Sequence, residues 1–252
     1  MKGIRHALLF GVALMSACTS MPEKPGAAAL AELAPGGKLR FGLVSAPERT
    51  AFFVGRDGAG QPVGVTVDLA RALARQAGLP LEFTVAPNSG EITDALAAGK
   101  IDAAFMPVDD ERKKRVDFGP DYALSLNTFM VRAGSPIKTI SEVDRPGVKV
   151  IGVAGTTTIR TTTRLLKQTG ISPVRGVEDA ITALNNGTAD AFALTHDSLK
   201  PLMLKIPGAR ILDGSFHQLG TAIAVPRGRP AALAYVSRFL EDAKTSGLVK
   251  KA

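Results

Sequence analysis

Apolar and polar residues along the chain follow two periods that take turns. KLRFGLV (residues 38–44) is a short apolar run and reads as a strand. After the turn sequence RDGAGQPVG, the residues Val67, Leu69, Ala70, Leu73, Ala74 and Ala77 recur at the spacing of one helix face, and Gly78 supplies a stop. LEFTVA is the next strand. Ser89 stands where an N-cap is expected, ahead of a helix running to about Ala98, with Gly99 as its stop. IDAAFM is then a buried strand. The second half repeats this grammar. KVIGVAG reads as a strand, TTTIRTTTRLLKQTG as a helix, ISPVRG as a short strand, VEDAITALNNG as a helix closed by Gly187, and ADAFAL as a strand. Such alternation predicts an α/β fold with parallel strands and crossover helices.

One phrase is written twice. ALAAGKIDAAF begins at Ala95 and ALNNGTADAFA at Ala183, 88 residues later. Each spells a helix end, a Gly stop, a tight turn and a buried strand, with Gly taking the left-handed backbone at the stop. Its recurrence at matched places predicts two similar lobes. Ligands of open α/β sheets bind beyond the carboxyl ends of the strands, so two facing lobes place two such ends across one cleft.

The 252 residues suffice for one large domain or two small ones. Aromatics make up 5% and Trp is absent, which argues against a binder that stacks nucleic-acid bases. The formal charge of +8 suits an anionic ligand, an acidic membrane surface or nucleic acid, and does not choose among them. Lys2, Arg5 and His6 precede an apolar run over residues 7–15, then Ser16, Ala17 and Cys18, which is the plan of a secretory signal. The run is too short to span a bilayer as a permanent helix. LMSAC resembles a bacterial lipobox, so residues 1–17 are expected to be removed and Cys18, the single cysteine, to carry lipid. Removal takes away Lys2 and Arg5 and leaves a charge of +6. The Pro-, Ala- and Gly-rich residues 18–37 read as a tether.

GVTVDLARALA, ALAAGKIDAAF, DDERKKRVDFGPDY, AGSPIKTISEV, VAGTT, ALNNGTADAF and AIAVPRGRPAAL, taken in this order and spacing, resemble the solute-binding proteins of bacterial ABC importers, in the class that serves polar amino acids (family 3). The resemblance runs from Lys38 to Leu248. It implies a type II periplasmic binding protein-like fold: two α/β lobes joined by two crossover strands, with the ligand cleft between them. Residues 38–125 and 222–252 would form lobe 1 and residues 126–221 lobe 2, with crossings near 124–127 and 220–222. It also implies a monomer, lipid-anchored in the periplasm, that delivers a small solute to a permease, with no cofactor, metal or nucleic acid.

By the same resemblance, the Arg that grips a ligand carboxylate falls on Arg112 in DDERKK, and a guanidinium does offer a planar fork to a carboxylate. The amides and hydroxyl that receive the same group fall on Thr156 and Thr157, where a helix N-terminus favours an anion. Asn88 and Phe52 complete the expected lining. The departures matter as much. The ammonium-binding Asp of the family falls on Thr195, followed by His196 and Asp197; the polar position after the first strand is Val44; an aromatic expected near Thr50 is replaced by Phe52 and Phe53 close by; a Ser hydroxyl expected ahead of Arg112 is Pro107. The anion grip is kept and the usual cation grip is stripped, so the expected ligand is a small anionic solute: an organic acid, or an amino acid whose ammonium is held by a displaced acid such as Asp197, Glu48 or Glu91.

Two other functions compete. Some relatives of this fold are dehydratases of prephenate-like acids (the cyclohexadienyl dehydratase type), which need a positioned general acid; Thr195 supplies none, leaving His196 or Asp197. The chain also suits a sensor lipoprotein whose cleft no longer serves transport. It contains no Gly-rich phosphate loop, His/Glu metal motif or nucleophile elbow.

Overall fold

In a computed structural model the described residues are 24–251. The expected signal segment and Cys18, expected to carry lipid, lie outside them. The chain begins with α1 (Ala27–Leu33), then β1 (Leu39–Val44), the two-residue strands β2 (Gly55–Arg56) and β3 (Pro62–Val63), α2 (Val65–Ala77), β4 (Leu81–Ala86), α3 (Ser89–Ala97), β5 (Ala103–Pro107) and α4 (Asp110–Lys113). The long β6 (Val116–Val131) leads into β7 (Val150–Val153), α5 (Thr157–Leu165), β8 (Ile171–Val174), α6 (Val177–Asn185), β9 (Ala191–Thr195) and α7 (His196–Leu199). β10 (Arg210–Ile211), β11 (His217–Pro226), α8 (Pro230–Thr245) and α9 (Leu248–Lys251) finish it.

The strand order is β4-β1-β5-β11-β6-β9-β7-β8. Read inward from either end it is the same: second strand, first strand, third strand, all parallel, then an antiparallel strand. The twice-written phrase is the third strand of each half and the turn before it. Gly99 and Gly187 take positive φ, +66° and +73°, at the two helix ends, and Leu96 and Leu184 are buried beneath them. The repeated Asp does matched work. Asp102 N–H donates to the Arg40 carbonyl while the Asp102 carboxylate accepts from Arg40 N–H. Asp190 N–H donates to the Lys149 carbonyl and its carboxylate accepts from Lys149 N–H. Each carboxylate also holds an Arg: Asp102 binds Arg40 and Arg229, Asp190 binds Arg132. The phrase recurs because each half uses one carboxylate to start its third strand against its first.

β6 and β11 run through both halves, paired antiparallel from His217↔Asn127 to Pro226↔Val116 with irregular register near Thr221 and Ala222. The expected boundaries at 125/126 and 221/222 fall inside these two strands. One apolar cluster surrounds β1, α2 and α8, a second surrounds Phe129 and Val143, and a third spans both halves, with Val44, Phe53 and Ile92 from one and Val153, Val177 and Leu194 from the other.

Three local expectations are corrected. Residues 27–33, read as tether, form α1: Leu33 is buried, the Glu32 carboxylate accepts from Ala232 N–H at 2.9 Å, and the Glu32 carbonyl accepts from Arg229 at 2.9 Å, which clips α1 to α8. AAALAEL is rich in strong helix formers, which overrode the flanking Pro and Gly. The N-cap of α3 is Asn88, not Ser89; its side chain accepts from Glu91 N–H. The Thr-rich helix ends at Leu165, where Leu166 turns to extended backbone, short of the expected Gly170.

The two phrase carboxylates differ in burial: Asp102 is 0% exposed, whereas the Asp190 side chain is 23% exposed. Asp102→Ala leaves Arg40 and Arg229 without their buried partner and is expected to cost about 3–5 kcal/mol. Asp190→Ala, open to water, is expected to cost about 1.5–3 kcal/mol. Urea unfolding midpoints of the two variants check the order; equal losses would deny that burial sets it.

Candidate functional site

The carboxyl ends of the two sets of parallel strands face each other across a narrow cleft. The first half lines it with the loop after β1 (Thr50 to Phe53), the Pro87–Asn88–Ser89 turn after β4, and Pro107 at the end of β5. The second half contributes Val153, Thr156, Thr157 and Thr158 around the start of α5, then Leu194, Thr195, Asp197 and Ser198 around the end of β9. Tyr122, Ser125 and Thr221 reach in from the crossing strands.

Six of the residues expected from the sequence meet here: Phe52, Asn88, Pro107, Thr156, Thr157 and Thr195. Several have their polar atoms engaged within the chain. Asn88 caps α3 and donates Nδ2 to Glu91 and to the Arg175 carbonyl, at 2.9 and 3.1 Å. Thr156 caps α5: its hydroxyl accepts from Ile159 N–H and donates to the Val153 carbonyl. Thr157 Oγ1 donates to Asp109 at 2.5 Å. The hydroxyls expected to receive a ligand anion thus bond within the chain, and Thr156 also takes one of the first-turn N–H groups of α5, Ile159 N–H, that a helix start leaves without intrahelical partners. The Thr195 hydroxyl donates to Ser198 Oγ at 2.8 Å.

Arg112 is not among the lining residues. It lies behind them, 2% exposed, with Nη1 donating to the Pro107 carbonyl at 2.7 Å and Nη2 to Ser89 Oγ at 2.6 Å and the Gly155 carbonyl at 3.1 Å. Its Nε has no partner. Burial, and then the charge of Arg160, push the Arg112 guanidinium down to about 9; it is still charged at neutral pH. His196 also lies outside the lining, its side chain half exposed and its Nδ1 3.5 Å from Asp197. Of the three acids considered as displaced ammonium partners, Asp197 lines the cleft, whereas Glu48 pairs with Lys205 at 3.3 Å and Glu91 is bound by Asn88. Val44 is buried in the core.

Three residues to which the sequence assigned no part in the site matter. Ser89, freed from capping by Asn88, receives Arg112. Asp109 caps α4, accepting from Arg112 N–H at 2.9 Å, and takes Thr157 Oγ1 and Arg160 from the opposite half. Tyr122 donates its hydroxyl to the Ala51 carbonyl at 2.5 Å and so fixes the loop that carries Phe52; burial pushes its phenol well above the ordinary range, so it stays a neutral donor. The signal for Asp109 was a cap residue just before DERK. Among the described residues no three His, Cys, Asp or Glu side chains gather as a metal site.

Burial works to raise the Asp109 carboxyl, but the hydrogen bonds from Thr157, Arg160 and Arg112 N–H outweigh it and hold the group at about 2, against an ordinary 3.8. A carboxylate depressed in the folded state contributes stability above its unfolded pKa and loses it as pH falls through the folded one. Asp109 therefore supplies about 2 kcal/mol that is present above about pH 4 and lost toward about pH 2. Asp109→Asn lacks this loss, so its stability falls less steeply over that interval. Urea midpoints measured at several pH values check it; superimposable slopes for the two proteins would contradict it.

The profile of the bacterial extracellular solute-binding proteins, family 3, matches residues 44–252. The ABC transporter glutamine-binding protein GlnH of Bacillus subtilis is 26% identical over 252 residues, covering 95% of this chain and 90% of GlnH. The crystal structure of a mutant of ArgBP from T. maritima superposes with a TM-score of 0.76 at 27% identity, over 88% of this chain and 96% of that one. The ancestral amino acid-binding protein AncCDT-1, described as a precursor of cyclohexadienyl dehydratase, gives 0.75 at 29% identity, over 88% and 96% of the two chains. These likenesses agree with the two-lobed architecture and the strand-end cleft, and the chain belongs to the bacterial extracellular solute-binding proteins, family 3.

Proposed function

We propose that the chain captures a small solute bearing a carboxylate, an amino acid or a related organic acid, in the cleft and hands it to the permease of an ABC importer. The observation that carries this reading is a charge count at the start of α5. Asp109 is paired with the Arg160 guanidinium and accepts only the backbone N–H of Arg112, whose buried guanidinium donates to the neutral oxygens of Pro107, Ser89 and Gly155, while the neighbouring Arg115 is paired with Asp94 at 2.8 Å. One buried positive charge is left over, and an uncompensated buried charge is costly. A ligand carboxylate supplies the missing charge, and the N-terminal amides of α5 add favourable partial charge.

The opposite end of the cleft supports the amino acid over the plain acid. Asp197 is the single carboxylate among the described lining residues, and it stands beside the Thr195 and Ser198 hydroxyls. An ammonium there finds an anionic acceptor two residues beyond Thr195. The names of the relatives, which speak of glutamine for GlnH and an amino acid for AncCDT-1, agree. In the same reading the exported chain is a monomer held to the membrane by lipid on Cys18.

Calorimetry tests the two ends separately, with L-glutamine, L-arginine and the other protein amino acids, each beside its deaminated acid. Arg112→Ala is expected to lose about 2–5 kcal/mol of binding for every ligand, because the carboxylate loses a desolvated charged partner. Arg112→Lys is expected to fall between, since an ammonium lacks the planar fork. Asp197→Asn is expected to weaken the amino acid and leave its deaminated acid unchanged. Undiminished affinity in Arg112→Ala would remove the carboxylate grip, and undiminished amino-acid affinity in Asp197→Asn would remove the ammonium site.

A further inference from the structure

We infer that the floor of the cleft is a specificity subsite, in which Thr221, Ser125 and Asn127 on the two crossing strands receive the uncharged polar end of the solute's side chain, a hydroxyl or a carboxamide, and charged side chains are refused. The floor takes the part of the solute that neither Arg112 nor Asp197 holds, so its role rests on the carboxylate reading above. Side chains along a strand alternate between its two faces, and β6 shows which face is which. Leu124 and Leu126 are 63% and 48% exposed, whereas Ala123 and Ser125 line the cleft and Asn127 is buried. On β11, Leu219 stands opposite Ser125 and Thr221 opposite Ala123, and both line the cleft. Thr221 also pairs with Pro107 of β5, and Asn127 with Thr195 of β9. The row therefore runs beneath the cleft from the strand end beside Arg112 to the strand end beside Asp197.

The polar groups of this row are unspent. Thr221 is 2% exposed, yet neither its hydroxyl nor that of Ser125 has a partner among the described residues. Asn127 Oδ1 accepts from the lining Thr158 at 3.4 Å, and Asn127 Nδ2 has no partner. On the walls, by contrast, Asn88, Thr156 and Thr157 spend their polar atoms within the chain. A buried donor without an acceptor is costly, and native chains rarely leave one so. A hydroxyl or carboxamide oxygen accepts from all three groups, and its own hydrogens find the two hydroxyl oxygens. Each group on the floor is neutral, and Asp197 is the one charged side chain among the described lining residues. With Asp197 given to the ammonium, a carboxylate or a second cation on the solute's side chain would lie over this floor without a counter-charge, which is costly where water is excluded.

Calorimetry on the full chain with matched pairs of amino acids tests this. L-threonine and L-valine differ by a hydroxyl for a methyl, while L-asparagine with L-aspartate and L-glutamine with L-glutamate differ by a charge; L-arginine and L-lysine stand beside them. A neutral polar member is expected to bind tightest of all, at least about tenfold tighter than its partner in the pair. Thr221→Val keeps the shape of the side chain and removes the hydroxyl, and Ser125→Ala does the same at the neighbouring strand. In both variants the ratio within that pair is expected to fall toward one. A merely structural role would weaken both members alike and leave the ratio where it was. Circular dichroism verifies folding, and should one variant fail to fold, the other reads the ratio alone. A charged or apolar amino acid that binds tightest, or a ratio that neither variant moves, overturns the subsite and leaves the carboxylate reading standing. Binding of none of the amino acids overturns it as well, and the deaminated acids then tell whether the carboxylate reading falls with it.

Discussion

Where the start of α5 faces the first half, two guanidiniums lie near one carboxylate, and only one of them, that of Arg160, is bonded to it. Asp109 is shared between Arg160 and Thr157 across the gap and the backbone of Arg112 beneath it. These hydrogen bonds hold its carboxyl near 2, while burial, and then the charge of Arg160, push the Arg112 guanidinium down to about 9. The N-terminus of α5 adds partial positive charge at the same spot. An ion pair, Asp109 with Arg160, joins the halves here, and the buried Arg112 guanidinium has no carboxylate bonded to it. The Arg112 guanidinium lies against the wall formed by Ser89 and Pro107.

The fold brings these groups together by writing one unit twice. In each half the third strand starts with an Asp that exchanges backbone and side-chain hydrogen bonds with the first strand, at Asp102 with Arg40 and at Asp190 with Lys149. That fixes the register of the strands whose carboxyl ends carry Pro107 and Thr195. The antiparallel β6 and β11 then hold the two ends face to face. The buried Asp102 also ties in Arg229 at the head of α8, and α1 closes over the same corner through Glu32. The first half accordingly ties α1 to α8 at one corner, and the second half is joined to it by two strands.

Much of this was legible in the sequence. Each parallel strand showed as a short apolar run, and the stops at Gly78, Gly99 and Gly187 were readable because left-handed backbone favours glycine. DDERKK pointed to Arg112, which the structure sets behind the lining, and Asp197 stood among three candidate acids. What stayed hidden depends on contacts between distant segments. Asp109 is one of three consecutive acids ahead of Arg112, and nothing local says which of them faces Thr157, 48 residues away. Ser89 and Asn88 are both good caps, and the choice of Asn88 followed from its added bond to Arg175, 87 residues on. Glu48, Glu91 and Asp197 were indistinguishable until the fold paired the first two with Lys205 and Asn88. Thr156 and Thr157 were placed correctly at the cleft, but their hydroxyls were spent inside the chain.

The claim that Arg112 is a buried cation short of a carboxylate has a direct spectroscopic reading at its bare Nε–H. In a proton–nitrogen correlation spectrum of the protein, with the peak assigned by its loss in Arg112→Lys, a charge-assisted bond to a ligand carboxylate moves the Nε proton strongly downfield. Titration with the amino acid that calorimetry selects is predicted to produce that shift in step with saturation. An Nε–H resonance that stays in place at full saturation would contradict the account.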